Sequence, residues 1–311
     1  MNRPLATFTL SADVEMAWGS WRDGRWPWEA FASEPDVVRR LDDLAVSLGT
    51  PITFGLVGAL AGTDVARLEQ IDPALGVDAA FPDLVGGYFD GTVPTVGQVL
   101  LRPEAWLDAT VVDRLRASSA RHEICSHTFF HTLPRSADRM PLDVAATRRA
   151  VGDVSSLIFP KDSLDFVESL PASGVNAYRG TGESAYMRSR GRPRHIGRVV
   201  HLLEQAVGRP APLAKTLPGQ VTCLTTSAYL TLRTGVRRRI PVTVLRRRFI
   251  TPLHDAVRRG GYYHLWTHPW NLALPGSDGF DLLAEVLLTA AEMQRRGDLR
   301  VRTMSELAED A

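Results

Sequence analysis

Apolar residues recur along this chain with two periods. Short β-rich runs cover Ala6–Ala12, Ile52–Leu56, His122–Ser126, Asn176–Arg179, Val221–Thr225, Tyr262–Thr267 and Leu299–Arg302, each rich in β-branched or aromatic residues and bounded by turn formers. Between the first two, Val37, Val38, Leu41, Leu44 and Leu48 fall at spacings of one, three and four, and Gly49 follows. This predicts a helix over Pro35–Leu48 with an apolar stripe and a stop signal. Leu245–Arg259 repeats the pattern with Phe249, Leu253 and Val257 before Gly260-Gly261, and Phe280–Arg296 predicts another helix before the last strand. Strands alternating with helices imply a parallel α/β fold, and seven such units in 311 residues suggest one barrel. Residues 1–311 are therefore expected to form a single barrel domain. The Gly-, Pro- and Asp-rich segment near 76–101 is expected to be a surface insertion. In such barrels the chemistry gathers at the C-terminal ends of the strands.

Charge and cysteine content narrow the picture. Net charge is only +1, but from Ala185 to Ile250 there are 14 Lys and Arg against one acid, Glu204. The clusters Arg188–Arg194, Arg237–Arg239 and Arg246–Arg248 either meet phosphates or form a solvated face. With two cysteines, Cys125 and Cys223, and no paired-cysteine spacing, neither a disulfide framework nor a four-ligand zinc site is expected. No apolar run approaches the roughly 20 residues of a spanning helix, and the first residues lack the pattern of a secretory signal. A cytoplasmic location is expected.

The strand ends then return a compact set of residues. The first ends in Asp13-Val14-Glu15, two carboxylates that share one face of an extended strand. Such a pair divides labour well: one acid holds a cation while the other accepts a proton. The third strand runs into His127 and His131, four residues apart and on one face if that segment is a helical turn. Imidazole suits zinc and related ions, although two buried histidines bonded to the backbone would look the same in sequence. The sixth strand ends in His268-Pro269, where a histidine can carry a proton at neutral pH; His264, inside that strand, reads as core. Tyr178 and Arg179 close the fourth, before Gly180 and Gly182, and no phosphate-loop pattern exists.

Taken in order, these segments resemble the motifs of the polysaccharide deacetylase family, also known as carbohydrate esterase family 4. Thr9 to Glu15 is similar to its first motif, and His122 to His131 to its second. Ala177 to Gly182 resembles its third, and His264 to Trp270 the motif carrying a general-acid histidine. Leu157–Pro160 and Val301–Leu307 fit as well, so the likeness spans nearly the whole chain. It departs from the family in two places. Val14 separates the two acids where many relatives carry adjacent aspartates, and Gly180 stands where a proline usually follows the arginine.

The resemblance implies a distorted (β/α)7 barrel of the NodB-homology type. It further implies one divalent ion, zinc or else iron, cobalt or nickel, held by Glu15, His127 and His131. Asp13 would be the base, Arg179 its partner and His268 the general acid, with the reverse division of Asp13 and Glu15 left open. Tyr178 and Trp266 would contact substrate, and Glu183 is a candidate to support His268. The reaction implied is removal of an N-acetyl or similar N-acyl group from a sugar-containing substrate. In the cytoplasm that substrate would be a nucleotide- or lipid-linked polysaccharide precursor, which the Arg-rich segment could meet through phosphates or at an anionic membrane surface. No specific nucleic acid is expected, and the oligomeric state is not readable. Two alternatives stand beside this reading: an allantoinase-like or cyclic-imide hydrolase, and a catalytically silent polyanion-binding barrel.

Overall fold

The structure is a computed structural model that describes residues 4–20, 27–61, 71–72, 77–78, 99, 101–132, 136–182, 202–203, 206–208, 210–230, 233–276 and 278–310. Its wall is built from β1 (Ala6–Val14), β2 (Thr53–Leu56), β3 (Glu123–Ser126), β4 (Ser156–Ile158), β5 (Ala177–Gly180), β6 (Thr222–Thr225), β7 (Ala228–Tyr229) and β8 (Tyr262–Thr267). Hydrogen-bonded neighbours run β8–β1–β2–β3–β4–β5–β6, all parallel. β7 follows β6 after two residues and pairs in parallel with β8. The stretch 222–229 thus leaves β5 and joins β8, which completes a ring of seven. Ser227 sits at the change of partner, where its N–H donates to the His264 carbonyl and its Oγ accepts the His264 N–H. The fold is a distorted (β/α) barrel.

Every residue of β1 is buried, as expected of a strand enclosed on both faces. The outer layer includes α1 (Glu34–Leu48), α2 (Thr110–Ala117), α3 (Met140–Val151), α4 (Val242–Arg259) and α5 (Gly279–Arg295). In α1, Val37, Val38, Leu41 and Ala45 face the core, and Gly49 ends the helix in the left-handed conformation that suits glycine at this place. The strand over Leu299–Val301 pairs only with the foot of β1, at Ala6–Phe8. The seventh wall strand is β4 instead. Three residues are too few to show a period, so sequence pattern alone does not reveal it. Of the segment near 76–101, most lies outside the described residues. Among those described, no helix is long and apolar enough to cross a membrane.

A polar cluster fastens α1 to the N-terminal end of β3. Asp42 accepts from Arg114 (3.0 Å) and Ser118 (2.5 Å), and its Oδ1 lies 3.2 Å from His122 Nε2. The other His122 nitrogen, Nδ1, accepts the Ile52 N–H at 3.1 Å. Nδ1 therefore carries no proton, and the neutral ring donates from Nε2. Burial lowers the His122 pKa from 6.5 despite the nearby Asp42. Because the folded value is the lower one, the unfolded chain takes up the proton first as pH falls. The stability this confers is complete above pH 6.5 and is lost below it. Unfolding free energies measured in urea at pH 7.5 and 5.5 should fall more for the wild type than for His122→Gln. Parallel declines would show that His122 is protonated in the folded state.

Candidate active site

A cavity of about 380 Å³ opens at the C-terminal ends of β1, β3, β5 and β8, a size suited to a small ligand. Its lining includes Asp13, Glu15, His127, His131, Arg179, Trp266 and His268, so seven of the nine residues given a site role from the sequence meet there. Tyr178 does not. It lies next to Arg179 on the opposite face of β5, against Phe159 and in contact with Cys223. Glu183 lies outside the described residues.

Asp13 and Arg179 form a buried fork: Nη1 to Oδ1 is 2.5 Å and Nη2 to Oδ2 is 2.6 Å. The fork spans the barrel from the end of β1 to β5, where Arg179 pairs with Ile158 of β4 and Leu224 of β6. Burial pushes the Asp13 carboxyl up, but Arg179 foremost, with His127 and His268, outweighs it and holds the acid below its ordinary range. The Arg179 guanidinium also lies 4.4 Å from the centroid of the Trp266 ring. Cys125 is a buried space-filler whose thiol burial pushes well up.

β1 ends at Val14, and Met16 then adopts φ 45° at the start of a short 3-10 turn, Met16–Gly19. This turn brings Glu15 over the barrel mouth. His127 and His131 lie on a loop rather than the helical turn suggested by their spacing: Thr128 (φ 60°) and His131 (φ 55°) are both left-handed. Backbone bonds from Gly58 and Ala59 to the carbonyls of Thr128 and Phe129 hold the loop, and both Asp143 oxygens accept the Phe129 N–H at 3.1–3.2 Å. Asp143, from α3, is a support that no motif disclosed.

His127 Nδ1 lies 2.8 Å from the Ile158 carbonyl, so it donates and the lone pair sits on Nε2. That Nε2 is buried and makes no hydrogen bond. Glu15 Oε2 lies 2.9 Å from His131 Nε2 and 3.6 Å from His127 Nε2. Ligand atoms around a tetrahedral ion with bonds of roughly 2.0–2.1 Å are about 3.3 Å apart. The orphaned nitrogen, the Ile158 carbonyl that orients the His127 ring and the donor set fit a divalent metal ion.

His268 follows β8, the neighbour of β1, and stands beside these acids, its Nε2 3.5 Å from Glu15 Oε1 and 3.9 Å from Asp13 Oδ2. Its Nδ1 lies 3.3 Å from the Tyr229 hydroxyl, which accepts from Asn271 at 2.5 Å. Tyr229 and Asn271 thus hold the ring. Neither is visible in the motifs, because β7 is a two-residue strand and Asn271 follows the Pro269 stop. His264 lies beneath, fully buried, 2.9 Å from Ser11 Oγ; burial, followed by Arg179, lowers its pKa to about 3. Gly19, Ser20, Lys161 and Asp162 complete the lining.

No family model matches the sequence, and no curated protein does. Solved structures do match. A protein assigned as a polysaccharide deacetylase from Mycobacterium smegmatis superposes with a TM-score of 0.59 at 14% identity, covering 99% of this chain and 91% of that one. Another assigned the same activity, from Pseudomonas aeruginosa PAO1, gives 0.53 at 11%, with 97% and 89% covered. This is the polysaccharide deacetylase fold. The alpha-amylase AmyC from Thermotoga maritima shares it less completely, with a TM-score of 0.51 at 9% identity and 99% and 75% covered. The barrel therefore does not by itself fix a reaction.

Gly19 gives a direct check on the Glu15 position. A Cβ there would lie 2.0–2.2 Å from the Glu15 carboxyl carbon and oxygens. Gly19→Ala should displace that carboxylate and weaken zinc binding by about 10–100-fold in calorimetric titration, with an unchanged far-ultraviolet spectrum. Unaltered affinity would remove Glu15 from the ligand set.

Proposed function

We propose that this protein is a metal-dependent hydrolase that removes an N-acetyl or similar N-acyl group from a sugar-containing substrate. The observation that carries the proposal is the orphaned Nε2 of buried His127, closed on by Glu15 and His131 beside the Asp13–Arg179 fork. A divalent ion held by those three residues, zinc by ligand type, would supply a polarised carbonyl and a water of lowered pKa. The rest is the work of the chain. Arg179 keeps Asp13 ionised and points its carboxylate at the cavity, where Asp13 accepts the proton of the attacking water. His268, one-fifth exposed and held at Nδ1 by Tyr229, presents Nε2 to the cavity to protonate the departing amine. Trp266 offers its ring to the sugar.

A phosphate-bearing cytoplasmic precursor, linked to a nucleotide or lipid, remains the substrate this reading favours. Its support is Lys161, one of only two lysines in the chain, which lines the cavity next to Asp162. Both residues are left-handed, at φ 56° and 52°, and a non-glycine backbone held so is a costly placement that tends to mark function. Of the Arg-rich segment, the cluster Arg188–Arg194 lies outside the described residues. Arg246 binds Glu285, Arg233 binds Asp278, and Arg248 is buried.

Purified wild-type protein should contain about one divalent ion per chain, and His127→Ala with His131→Ala should contain none. Asp13→Asn and His268→Ala should keep the ion yet release acetate from N-acetylated sugar nucleotides about 10²–10⁴-fold more slowly. A wild type that takes up no zinc or cobalt would favour the silent polyanion-binding barrel instead.

Lys161→Ala should raise KM for a phosphate-bearing N-acetyl sugar about tenfold, the loss of one charged hydrogen bond. The neutral sugar should be turned over unchanged. An equal effect on both would exclude an anion contact at Lys161.

A further inference from the structure

Glu34 is the first residue of α1 and has no exposed surface. It touches neither the cavity nor a substrate position, yet its two carboxyl oxygens bind backbone from both walls of the site. Oε2 accepts the Met16 N–H, and Oε1 accepts the Trp270 N–H at 3.3 Å. The Glu15 N–H adds a third bond. Met16 and Trp270 are the two groups that aim Glu15. Met16 follows Glu15 directly and has the left-handed φ of 45° that turns the chain at the end of β1. The indole Nε1 of Trp270 donates to Glu15 Oε1 at 3.2 Å, leaving Oε2 to face His127 and His131.

A carboxyl here is costly. It is fully buried and stands close to the Glu15 carboxylate. Packing alone would be served better by an apolar or amide side chain of the same size. What neither replacement supplies is two oxygens that can each accept a backbone N–H, which is what N–H groups arriving from two directions require.

We infer that Glu34 is the positioning residue of the metal site: it ties the β1 end to the β8 end and so fixes which Glu15 oxygen faces the two histidines. This rests on the metal-hydrolase reading above. Loss of the tether should free Met16 to relax, let Trp270 shift, and give the Glu15 carboxylate more than one orientation.

The test is cobalt binding by the full chain, read by calorimetry and by the visible absorption of the bound ion, which reports its coordination. Glu34→Gln keeps the shape but turns an NH2 toward one of the two N–H donors. It should bind Co2+ at least tenfold more weakly, as for other lost outer-shell partners, with an altered visible spectrum and a metal-free unfolding midpoint close to the wild type. Glu34→Asp, which keeps two acceptors, should recover part of the affinity. Trp270→Phe, which removes only the indole donor, should also weaken binding, and the double variant with Glu34→Gln should lose less than the two single losses combined. Wild-type affinity and spectrum in Glu34→Gln would overturn the inference, whatever happens to the unfolding midpoint. If that variant does not fold, Trp270→Phe decides: unchanged affinity and spectrum overturn the proposal equally. A wild type that binds no cobalt or zinc would sink the metal-site reading along with this one, whereas a metal-binding wild type with indifferent variants would sink this one alone.

Discussion

Everything at the mouth of this barrel follows from the need to keep two carboxylates ionised where water is excluded. Asp13 and Glu15 are almost fully buried, and an unpaired charge in such a place protonates or unfolds the site. Arg179 solves half of the problem. Its planar fork matches Asp13 oxygen for nitrogen. Glu15 has no such cation. Burial pushes it up, and only His268, His131 and His127 pull it well below the ordinary range. His127 Nδ1 donates to a carbonyl, and two imidazole nitrogens close on one Glu15 oxygen, an arrangement that suits a cation.

The closure of the ring serves the same end. A strand that ran on unbroken from β6 would keep β5 as its partner. By switching to β8 at Ser227, the chain delivers Tyr229 to His268 on the side away from Asp13. The general-acid candidate is thus held by a neutral hydroxyl and an amide.

Much of this is legible in the sequence, and the reasons for success and failure are physical. The β1 run, the Val37–Leu48 stripe and the Gly49 stop each lie within one element, where a local period carries the information. The cavity residues sit at strand ends, and so the strands point to them. Elements defined by tertiary contact escape such a reading. β4 is three residues long and is a strand only because β3 and β5 flank it. The spacing of His127 and His131 suggests a helical turn, but Asp143, Gly58 and Ala59 impose left-handed residues instead. Tyr178 sits beside Arg179 in sequence, and strand alternation sends it to the other face. Glu34, Tyr229 and Asn271 have no motif, because each acts on a backbone or a ring contributed by a distant part of the chain.

Likeness of fold cannot separate a deacetylase from a glycosidase or a silent barrel, since one architecture carries several reactions. The distinction lies in what the strand ends hold. A glycosidase of the usual kind needs two carboxyl groups flanking the scissile bond, one on each side. Here Asp13 and Glu15 leave one strand end together with His268 on the neighbouring one, and the remaining carboxyl of the lining, Asp162, lies 3.9 Å from the Arg179 guanidinium. A silent barrel has no reason to bury a carboxylate against two imidazoles while leaving one nitrogen unbonded, because that arrangement costs stability and returns none. In the proposed reading, an acid and a base beside one cation site answer both objections: Asp13 would take a proton from water and His268 would give one to a departing amine.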